Sequence, residues 1–351
     1  MLQIPIDDER YHGNVLTEAE RAWGQRTLAA LLARYKRLSA FIDGAFGALH
    51  LSEVQRTAIL TDVTLAFSHY AKVAFPPQSE AELYARLRKW FHAFLPYIAE
   101  NISLLHTPQL VRYEPIALTN IYVSNTLYRA ITETPFSEDE DRLTLWTMHE
   151  WVGYLRVVRS IMLLISLGDD AHAMGLLRGA FEIGAKLRLV DRYPTEYLLF
   201  KEFNIYLQDH KLNKAPIPKE MKEYLSKEPL YGRNKESFLA YGWARDAAGE
   251  RILTMKGLLE TGFSDSREGV LQLFNITSEF VHEDYVGVGY DYIAIRRYIT
   301  DFCFWLYRLM LSDGELLPFL SSRERSRVCH LLTLATPCYA GEFPLAESTA
   351  T

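Results

Sequence analysis

AHAMGLLRGAFEIGAKLRLVDRY, residues 171–193, decides how the rest of the chain is read. It is apolar around most of its circumference, as in a buried helix rather than a surface one. Yet Arg178, Glu182 and Lys186 recur every four residues and therefore share one face. Gly175 and Gly179 lie four apart, as do Ala180 and Gly184, a spacing that lets a neighbouring helix come close. The stretch before it, YLRVVRSIMLLISL, has the same character, with Arg156 and Arg159 set into apolar sequence. Charges buried in this way are either paired with one another or line a cleft.

Outward from this pair of helices the pattern stays helical. Thr17–Glu20, Ser52–Gln55, Ser79–Glu82 and Ser137–Glu140 each fit a capping box, in which hydroxyl and N3 side chain satisfy each other's orphan amides. An apolar repeat of helical period follows, as in Leu28, Leu31, Leu32, Tyr35, Leu38 and Phe41. Helices are expected over 18–48, 53–74, 80–105, 115–131, 138–167, 170–191, 195–212, 235–260, 266–283, 288–312 and 322–335. Pro96 is expected to kink the third. No stretch alternates with period two, so the fold class is all-α, a bundle of about ten or eleven helices without significant sheet.

The segment NKAPIPKEMKEYLSKEPLYGRN, residues 213–234, carries three prolines and reads as a loop with one short helix. The expected division is an N-terminal helical region over 1–134, a core unit over 137–312 and a helix with a loose tail over 313–351, with one continuous body as the alternative.

Composition narrows the function. Hydrophobic residues are 49% and charged residues 23%, the balance of a globular chain, and the net charge of −6 provides no global field to recruit nucleic acid, although a local basic patch still can. Cys303, Cys329 and Cys338 form no C-x-x-C pair and no disulfide framework. The opening MLQIPIDDERYHG lacks the basic and apolar regions of a signal peptide. The most apolar runs, Val157–Leu167 and Phe302–Leu311, fall short of the roughly 20 residues of a membrane span. The cytoplasm is the expected compartment, with no membrane partner.

A second constellation is SEFVHEDY, residues 278–285, in which Glu279 and His282 are three apart on one helix face. Di-metal bundles use that E-x-x-H spacing, but they need two copies and further carboxylates, and the spacing recurs only near the N-terminus, at Glu9 and His12. No metal is therefore expected. Phosphate-loop, dinucleotide and hydrolase-elbow motifs are absent, so no cofactor is expected either. Pairs spaced R-x(4–6)-H do occur, at Arg86/His92, Arg142/His149, Arg323/His330 and Arg325/His330. With ten histidines and many arginines such pairs arise by chance.

LLRGAFEIGAKLRLV, the Trp243-containing YGWARDAAGERI and SEFVHEDY together resemble an uncharacterised family of all-helical bacterial proteins. That family shows an L-x-R-x-x-x-E helix, an aromatic-rich helix and then S-x-x-x-H. It is grouped loosely with the HEPN superfamily, which includes metal-independent ribonucleases of toxin–antitoxin and phage-defence systems. The resemblance covers about residues 154–292. It implies Arg178, Glu182 and His282 as catalytic residues acting on RNA or a nucleotide, with Arg156, Arg159, Lys186 and Glu279 as ligand contacts. The chain departs from active HEPN ribonucleases in having no R-x(4–6)-H pair within the resembling region.

Two expectations follow. One is a HEPN-like ribonuclease or nucleotide-acting protein of bacterial defence. The other is a non-catalytic helical binding or scaffold module in which the same residues form a structural network. A second copy or a partner protein, docked by helix packing, suits either. Exposure separates them, because an enzyme needs the three residues to meet in a cleft that water can enter.

Overall fold

A computed structural model gives the fold and describes residues 2–13, 15–102, 110–133, 142–167, 169–264, 267–281, 299, 303 and 320–335. Among them the protein is all-α, with fifteen α-helices and no strand. These are α1 (Asp8–His12), α2 (Glu18–Arg34), α3 (Lys36–Phe46), α4 (Glu53–Ala74), α5 (Glu80–Glu100), α6 (Pro115–Glu133), α7 (Arg142–Leu167), α8 (Asp170–Val190) and α9 (Pro194–Asn213). They continue with α10 (Lys219–Lys227), α11 (Pro229–Arg233), α12 (Lys235–Tyr241), α13 (Met255–Gly262), α14 (Arg267–Val281) and α15 (Ser322–Ala335), and a 3-10 turn spans Leu110–Tyr113. No helix among the described residues is long and apolar enough to cross a membrane.

The chain divides into two compact units, Met1–Leu127 with Arg159–Ala173 and Gly289–Glu342, and Tyr128–Val158 with Met174–Val288 and Phe343–Thr351. In the first, α2 packs on α4 and α3 on α5. The approach of α2 to α4 requires a glycine, because a Cβ at Gly24 would lie 2.7 Å from Leu65 Cγ. Leu31, Leu38, Val63, Phe67, Leu87, Phe91 and Phe94 fill the space between the helices, with the Phe67 ring edge-on to Phe91 at 5.4 Å and to Trp90 at 5.8 Å. The single helix expected over 18–48 is broken at Tyr35, whose backbone leaves the helical region. The apolar repeat continues through the break, while the chain changes partner from α4 to α5.

Helix starts follow the capping chemistry in two of the three described cases. Thr17 with Glu20 and Ser52 with Gln55 make reciprocal boxes. Ser79 accepts from the Glu82 amide, but the Glu82 carboxylate takes the Gln78 amide instead. The fourth expected box, at Ser137, lies outside the described residues. Pro96 sits within α5, where it lacks the amide that would bond the His92 carbonyl, and the helix still carries on to Glu100.

The first unit also buries a histidine. His69 Nδ1 lies 2.8 Å from Glu114 Oε1, its Nε2 lies 3.5 Å from Asp8 Oδ1, and its ring stacks on Tyr11 at 3.7 Å. Burial pulls the imidazole pKa down, but Asp8 and Glu114 outweigh it and hold the pKa above its ordinary value. The bond from His69 in turn holds the Asp8 carboxyl well below the usual range, helped by Lys72.

In the second unit α9 packs on α12 and α13 on α14. Gly262 at the end of α13 meets the Ala185 backbone of α8, where a Cβ would stand only 3.0 Å away. The helix expected over 235–260 is not one helix. It stops at Tyr241 and restarts at Met255. Between them Asp246 accepts from the amides of Ala248 and Glu250, and Gly249 adopts a φ of 82°. A carboxylate capping two nearby amides, with a left-handed glycine, favours a tight turn over helix. The 213–234 segment holds two short helices, α10 and α11, rather than one.

Candidate functional site

The face of α8 singled out by the sequence belongs to a polar cluster in the second unit. Lys186 Nζ donates to Glu182 Oε1 at 2.7 Å, one turn back on the same helix, with both side chains about four-fifths buried. Arg178 lays its guanidinium over the Phe274 ring of α14 at 4.9 Å. Lys186 also stands 5.8 Å from the centre of the Tyr241 ring. Burial first, and then the charge of Glu182, push the Tyr241 hydroxyl up to about 12.

A second ion pair adjoins the first. Lys201 of α9 donates to Glu150 of α7, and the Tyr197 hydroxyl donates to the same carboxylate oxygen at 3.0 Å. Burial raises the Glu150 pKa, but Lys201 more than offsets this, with Lys186 adding to the effect, so the carboxyl stays below the ordinary range. Tyr197 is pushed upward by burial and by Glu150. A general acid or base works best with a pKa near the working pH, and Glu150 and both tyrosines are moved the other way. The cavity here, between Lys186, Tyr197, Lys201, Asn204 and Trp243, has a volume of about 90 Å³. Small-molecule sites occupy about 300–1,000 Å³, so this cavity cannot take a nucleotide.

The two arginines of the preceding helix lie apart from this cluster. Arg156 is exposed, its guanidinium 5.9 Å from the Tyr128 ring centre, and Arg159 is exposed on the continuation of the same helix. Glu182 is bonded by a lysine of its own helix. Glu279 falls within α14, but its side chain and the whole of His282 lie outside the described residues. Arg178, Glu182 and Lys186 share one face of α8.

Sequence reasoning missed a different arrangement, in the first unit. Arg88, Lys89, His92, Ala93, Pro96 and Glu100 of α5 face Arg323, Arg327, His330 and Leu331 of α15 across a groove of about 830 Å³. Arg88 lies over the Tyr35 ring and Arg327 over the Tyr122 ring, each at 4.8 Å. Among the described residues none of these four arginines and lysines makes an ion pair. His92 packs against Phe41 at 4.4 Å, and burial followed by the charge of Arg88 lowers its pKa. Arg323, Arg327 and His330 at i, i+4 and i+7 were a visible stripe, as were Arg88 and His92. That the two stripes face each other was not visible.

Comparison with protein families, with curated proteins and with solved structures finds no match to this chain.

Proposed function

We propose that this chain is a non-catalytic helical binding module, in which Arg178, Glu182 and Lys186 knit the second unit together. The observation that supports it most is the pairing of Glu182 with Lys186 at 2.7 Å, with both side chains largely buried. A phosphodiester-cleaving site needs cations aimed at the place where charge develops and a group free to move a proton. Here the anion that Lys186 engages is the protein's own carboxylate, and the adjoining cavity of about 90 Å³ has no room for a nucleotide.

The test is incubation of the purified protein with total RNA, beside Arg178→Ala and Glu182→Ala variants. The expected result is intact RNA in every lane and a lowered melting temperature for both variants. RNA degradation that disappears in both variants, with their melting temperatures unchanged, would instead establish the HEPN-like ribonuclease.

A further inference from the structure

We infer that the groove between α5 and α15 is a binding site for single-stranded nucleic acid. This rests on the binding-module reading and supplies the partner it lacks. Arg88, Lys89, Arg323 and Arg327 bring four fixed positive charges to a groove whose lining, among the described residues, holds one carboxylate, Glu100. The chain as a whole carries a net charge of −6, so this concentration of charge is local and opposes the average. Several arginines in this protein engage carboxylates, as Arg10 does with Glu20 and Arg251 with Glu228. In the groove the aromatic rings of Tyr35 and Tyr122 fix Arg88 and Arg327 instead. An aromatic face holds a guanidinium plane in position without neutralising it. Both arginines are therefore preorganised and still available to an anion.

The chemistry of the walls selects among anions. Residues four apart on a helix are about 6 Å apart along its axis, so Arg88 with His92, and Arg323 with Arg327, form two rows of donors suited to a chain of phosphates. The lining also holds Ala93, Pro96 and Leu331, with the flat imidazoles of His92 and His330. Apolar and π surfaces between backbone-tracking cations are what unstacked bases require. An acidic peptide would use the charges and gain little from those surfaces. A duplex presents a convex, stiff backbone that fits poorly into a concavity between two helices. The volume of about 830 Å³ suits a few nucleotides of a flexible strand.

The test is fluorescence anisotropy with labelled 12-mers of oligouridine and oligo-dT, titrated with the full-length protein over a range of salt. With four phosphates neutralised, the slope of log K against log salt is expected near −3, from about −0.7 per contact on a single strand. Lys89→Glu with Arg323→Glu changes two exposed residues and is expected to weaken binding at least tenfold. The same charge change in the other unit, Lys211→Glu with Lys222→Glu, is expected to leave binding within twofold. Circular dichroism checks that each variant folds, and Lys89→Gln with Arg323→Gln replaces the reversal if it does not. Equal loss in both reversed variants, no loss in the groove variant, or displacement of the strand by an equal charge of polyglutamate would each overturn the assignment. Recovering the oligonucleotide intact separates the two proposals: cleavage counts against the binding-module reading alone, whereas unchanged affinity in the groove variant counts against the groove alone.

Discussion

The α8 cluster of the second unit and the α5/α15 groove of the first hold similar side chains and use them in opposite ways. In the cluster Lys186 has Glu182 and Lys201 has Glu150, both pairs are largely buried, and the space left over is about 90 Å³. In the groove Arg88, Lys89 and Arg323 are exposed, two arginines rest on tyrosine rings, and the space is about 830 Å³. Desolvation explains the difference. A charge removed from water must be matched by protein, whereas a charge left at the surface can wait for a ligand. A regular polar face on an apolar helix is therefore weaker evidence of function than an unmatched charge on an open wall.

Lys201→Met breaks the contrast most severely. It leaves Glu150 buried without its cation, and urea unfolding is expected to show a loss of about 2–4 kcal/mol. Adding Glu150→Gln is expected to restore part of that loss, since no charge then remains uncompensated. A lone Lys201→Met that unfolds at the wild-type midpoint would show that the cluster does not stabilise the second unit.

A smaller effect comes from His69, a buried group whose pairing depends on pH. Its folded-state pKa is raised, so its contribution is complete below about 6.5, the ordinary histidine value, and fades as pH rises through the folded-state value. Asp8 has the opposite sign. Its folded-state pKa is lowered, so its contribution is present above 3.8 and disappears as acid reaches the folded-state value. Urea midpoints across pH are expected to peak between those limits, and His69→Gln is expected to remove the fall on the alkaline side. An unchanged alkaline limb in His69→Gln would place that dependence elsewhere.

The smallest change in stability is expected where the largest change in binding is. Lys89→Glu with Arg323→Glu touches exposed residues without protein partners among those described, so unfolding free energy is expected to stay within about 0.5 kcal/mol of wild type. A larger drop, read from the same urea curves, would mean that the groove cations support the fold.

Much of this architecture was legible in the sequence because its causes are local. Thr17 with Glu20 and Ser52 with Gln55 mark helix starts by chemistry contained within four residues. The apolar period of 322–335 delivers α15 at the expected limits. The break at Tyr35 was not legible, because no glycine or proline causes it; only the change of packing partner does. Residues 235–260 misled because their apolar spacing is helical, while Asp246 and Gly249 make a turn whose capping bonds periodicity does not register. At the candidate site the shared face of Arg178, Glu182 and Lys186 was readable, but its pairing was not. The Arg323/His330 and Arg86/His92 spacings are of a kind that chance produces in a chain with ten histidines. Their neighbours became informative only once α5 and α15, from distant parts of the chain, were seen to share a wall.

The most direct test of this contrast is photocrosslinking of the full-length protein to a 4-thiouridine-substituted 12-mer, with the attached peptides identified by mass spectrometry. Crosslinks are expected in peptides from Glu80–Glu100 and Ser322–Ala335, with none in Asp170–Val190. Crosslinks concentrated in Asp170–Val190, around Arg178 and Lys186, would contradict the account and return the function to the polar face of α8.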